Sequence, residues 1–576
     1  MKAGPTDDRF GNLPLGRAIA LIVVAGLVAY HGSLRSCFYL DDGWQIEDSP
    51  WVEGGGWYRW TFRSAAFLTH WLTWKLWGLS GPAFHAGNLA LHLLNAVLLR
   101  QLLEEISVRA LGEVRARAFS FWSALLFVVH PLGSEIPNYV RARDIEMVLT
   151  FSLVAGCGGA SLARARRIPA FVAFAVGLIG ATFSKEIGFP CALLAAAGGF
   201  LVASPEKPGL SFAGHRRLAA ALGFLLVAGG ISFFLTPAGT WAIAFIGDPR
   251  LWFHVLTQAR IFWQLAGLFA YPVHLCSDHL VAWTVAWNDA RAWVALAALA
   301  TALVLAALLF RRGKRLAGFL ALGVFFPLLL HFPLVSSELM VEYRAYPALP
   351  FGCALAVLLL CRIRDRMDAA RSRLAPTVVL SVLCVALAWL SWRRTAEWRD
   401  PQTLAQSTLR EYPLQARAIN GLAWHYAEHG EPARALALHT RTSAILDQVE
   451  QWNRDHAQRK LDSGHYLMNR IGDESAYALA LARNGDPAAG EKHMLWLKER
   501  LVGLKLDRAF LWNDYYSTLA QIREAAGDFD AAITDYRTAL DYAGRAFSYG
   551  QDPYLYRQEK SLQRLLKTKP GASAGK

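Results

Sequence analysis

Residues 38–52 read FYLDDGWQIEDSPWV, with two adjacent carboxylates, Asp41 and Asp42, directly behind an apolar run. Glu47 and Asp48 follow closely, and Trp44 and Trp51 are interleaved. Neighbouring carboxylates repel, which favours the protonated form of one of them. A carboxylate at the mouth of a membrane segment suits a general base acting on a hydroxyl. The simpler reading is structural, because acids are tolerated at helix ends and Asp caps helices. Glu47 and Asp48 are read as solvated or capping residues, and the two tryptophans as interfacial anchors.

Cations supply the other half of a possible chemistry. HPLGSEIPNYVRARD, residues 130–144, contains His130, Glu135, Arg141, Arg143 and Asp144. SKE adds Lys185 and Glu186, and TQARIFWQ with HLCSDH adds Gln258, Arg260, His274, Asp278 and His279. VEYRAYP adds Glu342, Tyr343 and Arg344. A guanidinium matches phosphate in bidentate geometry. A carboxylate base plus cations on a leaving phosphate fits transfer from a lipid-linked phosphate donor. The competing reading is a set of internal Lys–Glu and Arg–Asp pairs that neutralise themselves.

In FHAGNLALHLLN, His85, Asn88, His92 and Asn95 stand at i, i+3, i+7 and i+10, a polar stripe on one helix face. Lipid contact is excluded for such a face, so it points into a helical bundle. It serves either helix–helix hydrogen bonding or a ligand. No tight His and carboxylate set demands a metal, and no cofactor is required. The acids at 41–48 leave a divalent cation open.

The elements that must position these residues are membrane helices. Of 576 residues 54% are hydrophobic and only 18% charged, with mean hydropathy +0.25. The apolar residues fall in runs of roughly 17 to 22, long enough to cross a hydrocarbon core of about 30 Å. Spans are expected at 17–34, 82–103, 118–133, 145–162, 169–184, 187–204, 216–236, 291–310, 316–334, 345–361 and 375–392. Lys and Arg alternate between the intervening loops: RQLLEEISVRALGEVRARA, ARARR, RRGKR and CRIRDRMDAARSR fall on one side. That side is expected to be cytoplasmic, with an uncleaved first span. The segments rich in both signs of charge lie on the other. Residues 240–271 carry Gln258, Arg260 and Gln264, and would break this alternation if they spanned, so an interfacial or re-entrant helix is expected. The net charge of +14 is accounted for by topology, and no nucleic-acid partner is expected. The seven cysteines show no CxxC or zinc-like spacing and read as small buried hydrophobes.

Beyond about residue 393 the pattern becomes soluble and helical. GLAWHYAEHGEPARALAL, YALALARNGDPAAGEKHMLWL and LAQIREAAGDFDAAITDYRTALDY each place a Gly between two Ala-rich helices, the form of a tetratricopeptide (TPR) unit. The expected organisation is therefore all-α. A multi-span domain occupies 1–392 with an outer loop at about 35–81, a TPR-like α-solenoid occupies 393–567, and 568–576 is a disordered tail.

Seven segments in register now resemble one family. They are FYLDDGWQIEDSPWV, FHAGNLALHLLN, HPLGSEIPNYVRARDIEMVLTFSL, FSKEIGFP, LTQARIFWQLAGLFAYPVHLCSDH, VEYRAYP and RTAEWRDPQTL. They are similar to the GT-C membrane glycosyltransferases, in particular the transmembrane-and-TPR (TMTC-like) protein O-mannosyltransferases and bacterial relatives. The resemblance implies a sugar taken from a polyprenyl-phosphate donor and placed on a protein hydroxyl. It implies Asp41 as base with Asp42 beside it, and a donor pocket of His130, Glu135, Arg141, Arg143, Lys185, Glu186, Gln258, Arg260, Asp278, His279, Glu342 and Arg344. It also implies a TPR region that holds the protein acceptor or a partner. The Ala- and Arg-rich composition and the absence of an N-x-[ST] sequon favour a cell inner membrane, with catalytic face and tail in the periplasm, over an ER membrane with both in the lumen. A lipid or polysaccharide acceptor, or a non-catalytic TPR scaffold, stays open at this point. The family pattern has other residues at Gly43 and Trp44, and often a Gly before the Arg in VRARD, which leaves the sugar open.

Overall fold

The computed structural model describes residues 13–47, 49, 51–53, 62–164, 167–204, 249–332, 339–365, 375–455, 463–503, 509–546 and 553–568. Among these the secondary structure is helical, with no strand. The chain forms two compact units. The first comprises Met1–Phe38, Tyr58–Ser277 and Val281–Arg399; the second comprises Tyr39–Trp57, Asp278–Leu280 and Asp400–Lys576.

The first unit contains α1 (Leu15–Tyr30), α2 (Ser64–Trp77), α3 (Gly81–Leu111), α4 (Glu113–Val128), α5 (Glu135–Asn138), α6 (Arg143–Leu162), α7 (Arg167–Thr182) and α8 (Gly188–Ala203). It continues with α9 (Pro249–Ala270), α10 (Ala290–Arg311), α11 (Arg315–Leu329), α12 (Leu349–Arg364) and α13 (Ala375–Glu397). Each expected span on described residues has its helix; 216–236 lies outside them. Among the described residues, five helices are long and apolar enough to cross a membrane: Leu15–Arg35, Gly81–Leu111, Val140–Leu162, Ala290–Arg311 and Pro376–Glu397. A sixth arises if Glu113–Val128 and Pro131–Asn138, bent by 58°, count as one span. Ile168–Thr182, Gly188–Ala203 and Arg315–Leu329 are apolar but shorter. The described part of 240–271 is α9, a 22-residue helix that is not among those apolar enough to cross.

The longest helix, α3, organises this unit, packing on α1, α4, α6 and α8. Pro82 opens it, where a missing N–H costs nothing, and Gly112 at φ 80° closes it. Helices α6, α7 and α8 meet through small residues, which suits association where water supplies no hydrophobic drive. A Cβ on Gly159 would stand 2.1 Å from the Ala196 carbonyl oxygen, so backbone approaches backbone there.

The second unit contains α14 (Pro401–Glu411), α15 (Ala416–Glu428), α16 (Pro432–Asp455), α17 (Ser463–Arg483), α18 (Pro487–Gly503), α19 (Ala509–Ala525), α20 (Phe529–Ala546) and α21 (Pro553–Thr568). The pairs α15–α16, α17–α18 and α19–α20 pack together, and each pair turns through a glycine at positive φ: Gly430 (77°), Gly485 (93°) and Gly527 (80°). Leu479, Met494, Leu497 and Tyr515 form one core spanning α17 to α19. Residues 569–576, most of the expected disordered tail, lie outside the described residues. Cys157, Cys191, Cys353 and Cys384 are buried thiols outside any disulfide.

Candidate functional site

The polar stripe of α3 is the base on which the first unit's polar cluster is built. His85, Asn88, His92 and Asn95 are fully buried. Opposite them run the short helical turns of 130–142, whose remaining carbonyls must find donors away from water. Asn88 Nδ2 supplies them, donating to Ile136 O (2.8 Å) and Tyr139 O (3.0 Å), with Val140 O at 3.5 Å. An amide has two protons, so the first two contacts are the bonds and the third is marginal. His85 Nδ1 donates to Pro137 O at 3.1 Å.

Further along the stripe the hydrogen bonds have a fixed direction. Val128 O can only accept, so His92 Nε2 donates to it at 3.2 Å. His92 Nδ1 is then an acceptor and receives the Tyr346 hydroxyl at 2.8 Å. Asn95 Nδ2 donates in turn to the Tyr346 oxygen at 3.2 Å. The stripe thus hydrogen-bonds neighbouring segments of the bundle.

The two arginines of VRARD do different jobs. Arg143 is buried and points at α2 and α3. Its Nε donates to Asn88 Oδ1 (2.7 Å), its Nη2 to Phe84 O (2.6 Å), and its Nη1 faces Thr69 and Thr73 Oγ1 at 3.4 and 3.5 Å. Gly87 makes room for it: a Cβ there would lie 2.7 Å from Arg143 Nη2. Arg141 instead turns to Asp144, Nη1 to Oδ2 at 2.6 Å. Lys185 Nζ bonds both oxygens of the same carboxylate at 3.1 and 3.0 Å, and Arg63 Nε lies 3.8 Å away. Arg63 also holds Glu186 at 3.2 Å. Asp144 is 1% exposed, Lys185 11% and Arg63 32%, so the cluster runs from the interior outwards.

Three cations from three stretches of chain therefore gather on one buried carboxylate in the first turn of α6, where the helix dipole also favours negative charge. Arg63 was not singled out in the sequence, because the helix α2 it precedes was read as part of a loop. Its place in FRSAAF, on the same side as VRARD and SKE, is the signal that marks it. Beside it His70 is buried; burial holds its imidazole well below the ordinary range and Arg143 pushes the same way, against Asp144. Its ring packs edge-on to Phe84, centroids 6.0 Å apart.

Other expected pocket residues act on backbone. His130 Nδ1 accepts from Leu132 N at 3.2 Å, so Nε2 carries the proton and donates to Phe269 O at 3.1 Å. The ring stacks on Phe269 at 5.1 Å. Glu135 Oε2 accepts from Tyr343 N (2.8 Å) and Glu342 Oε1 from Cys276 N (2.7 Å). Gln258 Nε2 donates to Leu339 O at 3.3 Å. Arg260 Nη1 bonds Ala282 O (3.1 Å) and Thr284 Oγ1 (3.2 Å), with Asp289 at 3.8 Å, a group separate from the Asp144 cluster. The Tyr343 ring lies under Lys185 Nζ at 5.3 Å. The next residue, Arg344, lines a cleft with Gln258 and His331 on its polar side and Ile261, Phe262 and Leu328 on its apolar side.

The carboxylate pair belongs to the second unit. Leu40 has φ 46°, and it is the sole non-glycine residue at positive φ among the described residues. A branched side chain in that region is strained, and such strain gathers at functional sites. Asp41 is partly exposed and Asp42 is buried. Asp42 Oδ2 accepts from Tyr39 N at 3.2 Å, closing the turn on which Asp41 stands. A π-helical turn, Gly43–Glu47, follows and packs on α21. Asp48 and the Trp44 side chain lie outside the described residues. Asp278 and His279 meet the α14–α15 turn: Arg417 Nε lies 3.5 Å from Asp278 Oδ2, and the Tyr412 hydroxyl lies 3.3 Å from His279 Nδ1.

Comparison with known proteins gives three relatives. Mouse protein O-mannosyl-transferase TMTC1 is 30% identical over 187 residues, 27% of this chain and 19% of that protein. The human protein of the same name is 29% identical over 186 residues, 27% of this chain and 20% of that protein. The Caenorhabditis elegans protein O-mannosyl-transferase F38B6.6 is 22% identical over 445 residues, 72% of this chain and 60% of that protein. The chain thus spans less than two thirds of the length of each. No family model and no solved structure matches it. The resemblance to TMTC-like O-mannosyltransferases, read from seven segments, agrees with these relatives.

Proposed function

We propose that the chain is a membrane glycosyltransferase that moves a sugar from a polyprenyl-phosphate donor to a Ser or Thr hydroxyl of a protein. The names of its relatives support the reaction class and point to mannose. The observation that carries the reading in the structure is the gathering of Arg63, Arg141 and Lys185 at the start of α6. Cations preplaced in a site shielded from water stabilise a departing phosphate at no reorganisation cost. The cleft that carries Arg344 adds an apolar wall, the kind of surface an isoprenoid chain requires.

In this reading Arg141 and Lys185 bind the phosphate and Asp144 positions them. Glu135 fixes the backbone at Tyr343, next to Arg344, and His130 braces the bend after α4. Asp41 removes the proton of the acceptor hydroxyl, and Asp42 sets the turn that presents it. The helical pairs of the second unit offer a TPR-like surface for a protein acceptor. The chemistry takes place on the outer face of a cell inner membrane, with the second unit on that same face.

The test is purified full-length protein with a polyprenyl-phosphate mannose and a pool of periplasmic proteins. Labelled sugar is expected on Ser or Thr, and Lys185→Gln and Arg141→Gln are expected to lower kcat by at least tenfold while the chain stays folded. No transfer to protein from any polyprenyl-phosphate sugar overturns the reading. Label found only in lipid or polysaccharide moves the acceptor.

A further inference from the structure

A second polar cleft lies in the first unit, far from the Asp144 cluster. It opens where α3 ends, α4 begins, α12 ends and α13 begins. Among the described residues, Arg115, Arg362 and Arg364 line it with one carboxylate, Asp365, while Trp122 and Leu380 form its apolar wall. Asp365 lies 3.3 Å from Arg115 and 3.8 Å from Arg364, and Arg362 is exposed.

Its position identifies its environment. Asn88 and Leu111 both belong to α3. The 23 helical residues from one to the other cover about 35 Å at a rise of about 1.5 Å each. That is close to the thickness of a hydrocarbon core, about 30 Å. The cleft therefore lies at the opposite membrane face from the Asp144 cluster. It belongs to the side whose loops are rich in Lys and Arg, and its apolar wall continues into membrane helices.

We propose that this cleft is a binding site for an anionic phospholipid, held by its headgroup phosphate against Arg115, Arg362 and Arg364, with an acyl chain along Trp122 and Leu380. Guanidinium groups match phosphate oxygens as forks, and basic pockets between helix ends select anionic headgroups. Free phosphate shares the headgroup chemistry but has no use for the apolar wall. The site is separate from the donor pocket and does not rest on the reading of the reaction.

The experiment is native mass spectrometry of the full-length protein in detergent, titrated with phosphatidylglycerol, phosphatidylcholine or inorganic phosphate. Phosphatidylglycerol is expected to bind in preference to phosphatidylcholine. An Arg115→Gln/Arg362→Gln variant is expected to weaken it roughly 25-fold, about fivefold per arginine. Arg117→Gln, whose side chain pairs with Glu113 (3.6 Å) and does not line the cleft, leaves it unchanged. Thr377→Trp keeps every arginine but fills the cleft and is expected to expel the lipid. Retention of the lipid by the double variant or by Thr377→Trp overturns the proposal. So does equal binding of phosphatidylcholine, or complete displacement by millimolar phosphate, which would mark a free-phosphate site.

Discussion

Asn88 in the first unit bonds carbonyls 48 and 51 residues away in sequence. Asn420 in the second receives His439 Nδ1 at 3.0 Å, across only 19 residues, and donates to Asp473 from the next helix pair. Both are asparagines bonded to side or main chain in the interior. The first braces a run of short helical turns, together with His85 and Asn138; the second decorates helices already joined by a glycine turn and burying Ile419, Leu422 and Ala435. In the first unit polar side chains make the architecture, and in the second they adjust it.

The largest effect expected from this contrast is at Asn88. Asn88→Ala removes the side-chain donor of Ile136 O and the acceptor of Arg143 Nε, while Tyr139 O keeps Ala142 N at 3.1 Å; an unmet buried group costs about 1–3 kcal/mol, more beside a charge. Loss of folded protein from the membrane is the expected outcome, measured by detergent-extracted yield and Tm. Asn420→Ala is expected to cost about 1 kcal/mol in the same measurement. Equal losses for the two would remove the distinction.

Gly87→Ala comes next. Its methyl would press on Arg143 Nη2, a guanidinium held by four oxygen contacts rather than free to swing away. Overpacking of this kind costs about 1–3 kcal/mol. Gly421, in α15 of the second unit, has nothing within 4 Å of a built Cβ. Gly421→Ala should stabilise slightly, because Ala favours helix by about 1 kcal/mol.

The pH response of the second unit sharpens the same contrast. Burial raises the Asp473 carboxyl to about 7, with Glu474 acting the same way and Arg417 and Arg470 opposing. Its folded form binds more protons than its unfolded form, so it loses stability as pH rises from about 4 to about 7. Burial lowers His439 to about 4, so it loses stability as pH falls from about 6.5 to about 4. The two slopes oppose, and the native protein is expected to be nearly flat between pH 4 and 6.5. Asp473→Asn should expose the acid loss and His439→Gln the loss towards neutrality, each on the order of 3 kcal/mol. Hydrogen exchange of α15–α17 across this range is the measurement, and parallel profiles in all three proteins contradict it.

The smallest effect belongs to Lys560 and Glu53, 3.9 Å apart and 55% and 39% exposed. Lys560→Ala should change Tm by less than the equivalent of about 1 kcal/mol.

This contrast also explains what was legible in the sequence. Apolar run length located ten helices of the first unit, because a helix buried in a bundle or facing lipid needs a continuous apolar run; five of the ten are long and apolar enough to cross a membrane. Glycine punctuation located the three helical pairs of the second. The stripe of α3 was visible as a stripe, since spacing along one helix is local information. Its partners were not, because Pro137, Ile136 and Tyr346 reach it only through the tertiary fold. The same limit hid Asp144 as the centre of the cation cluster and left Arg63 unnoticed. It also grouped Arg260 with residues that the fold assigns to other contacts. The strained Leu40 carries no sequence signal at all.

The central claim is that Asp41 is the base of a sugar transfer. It is tested most directly by single-turnover transfer from a polyprenyl-phosphate sugar to protein, comparing the native chain with Asp41→Asn at matched folded concentration. A fall of about 10²–10⁴ in rate is expected for loss of a general base, with donor binding unchanged. Full transfer by Asp41→Asn would contradict the account.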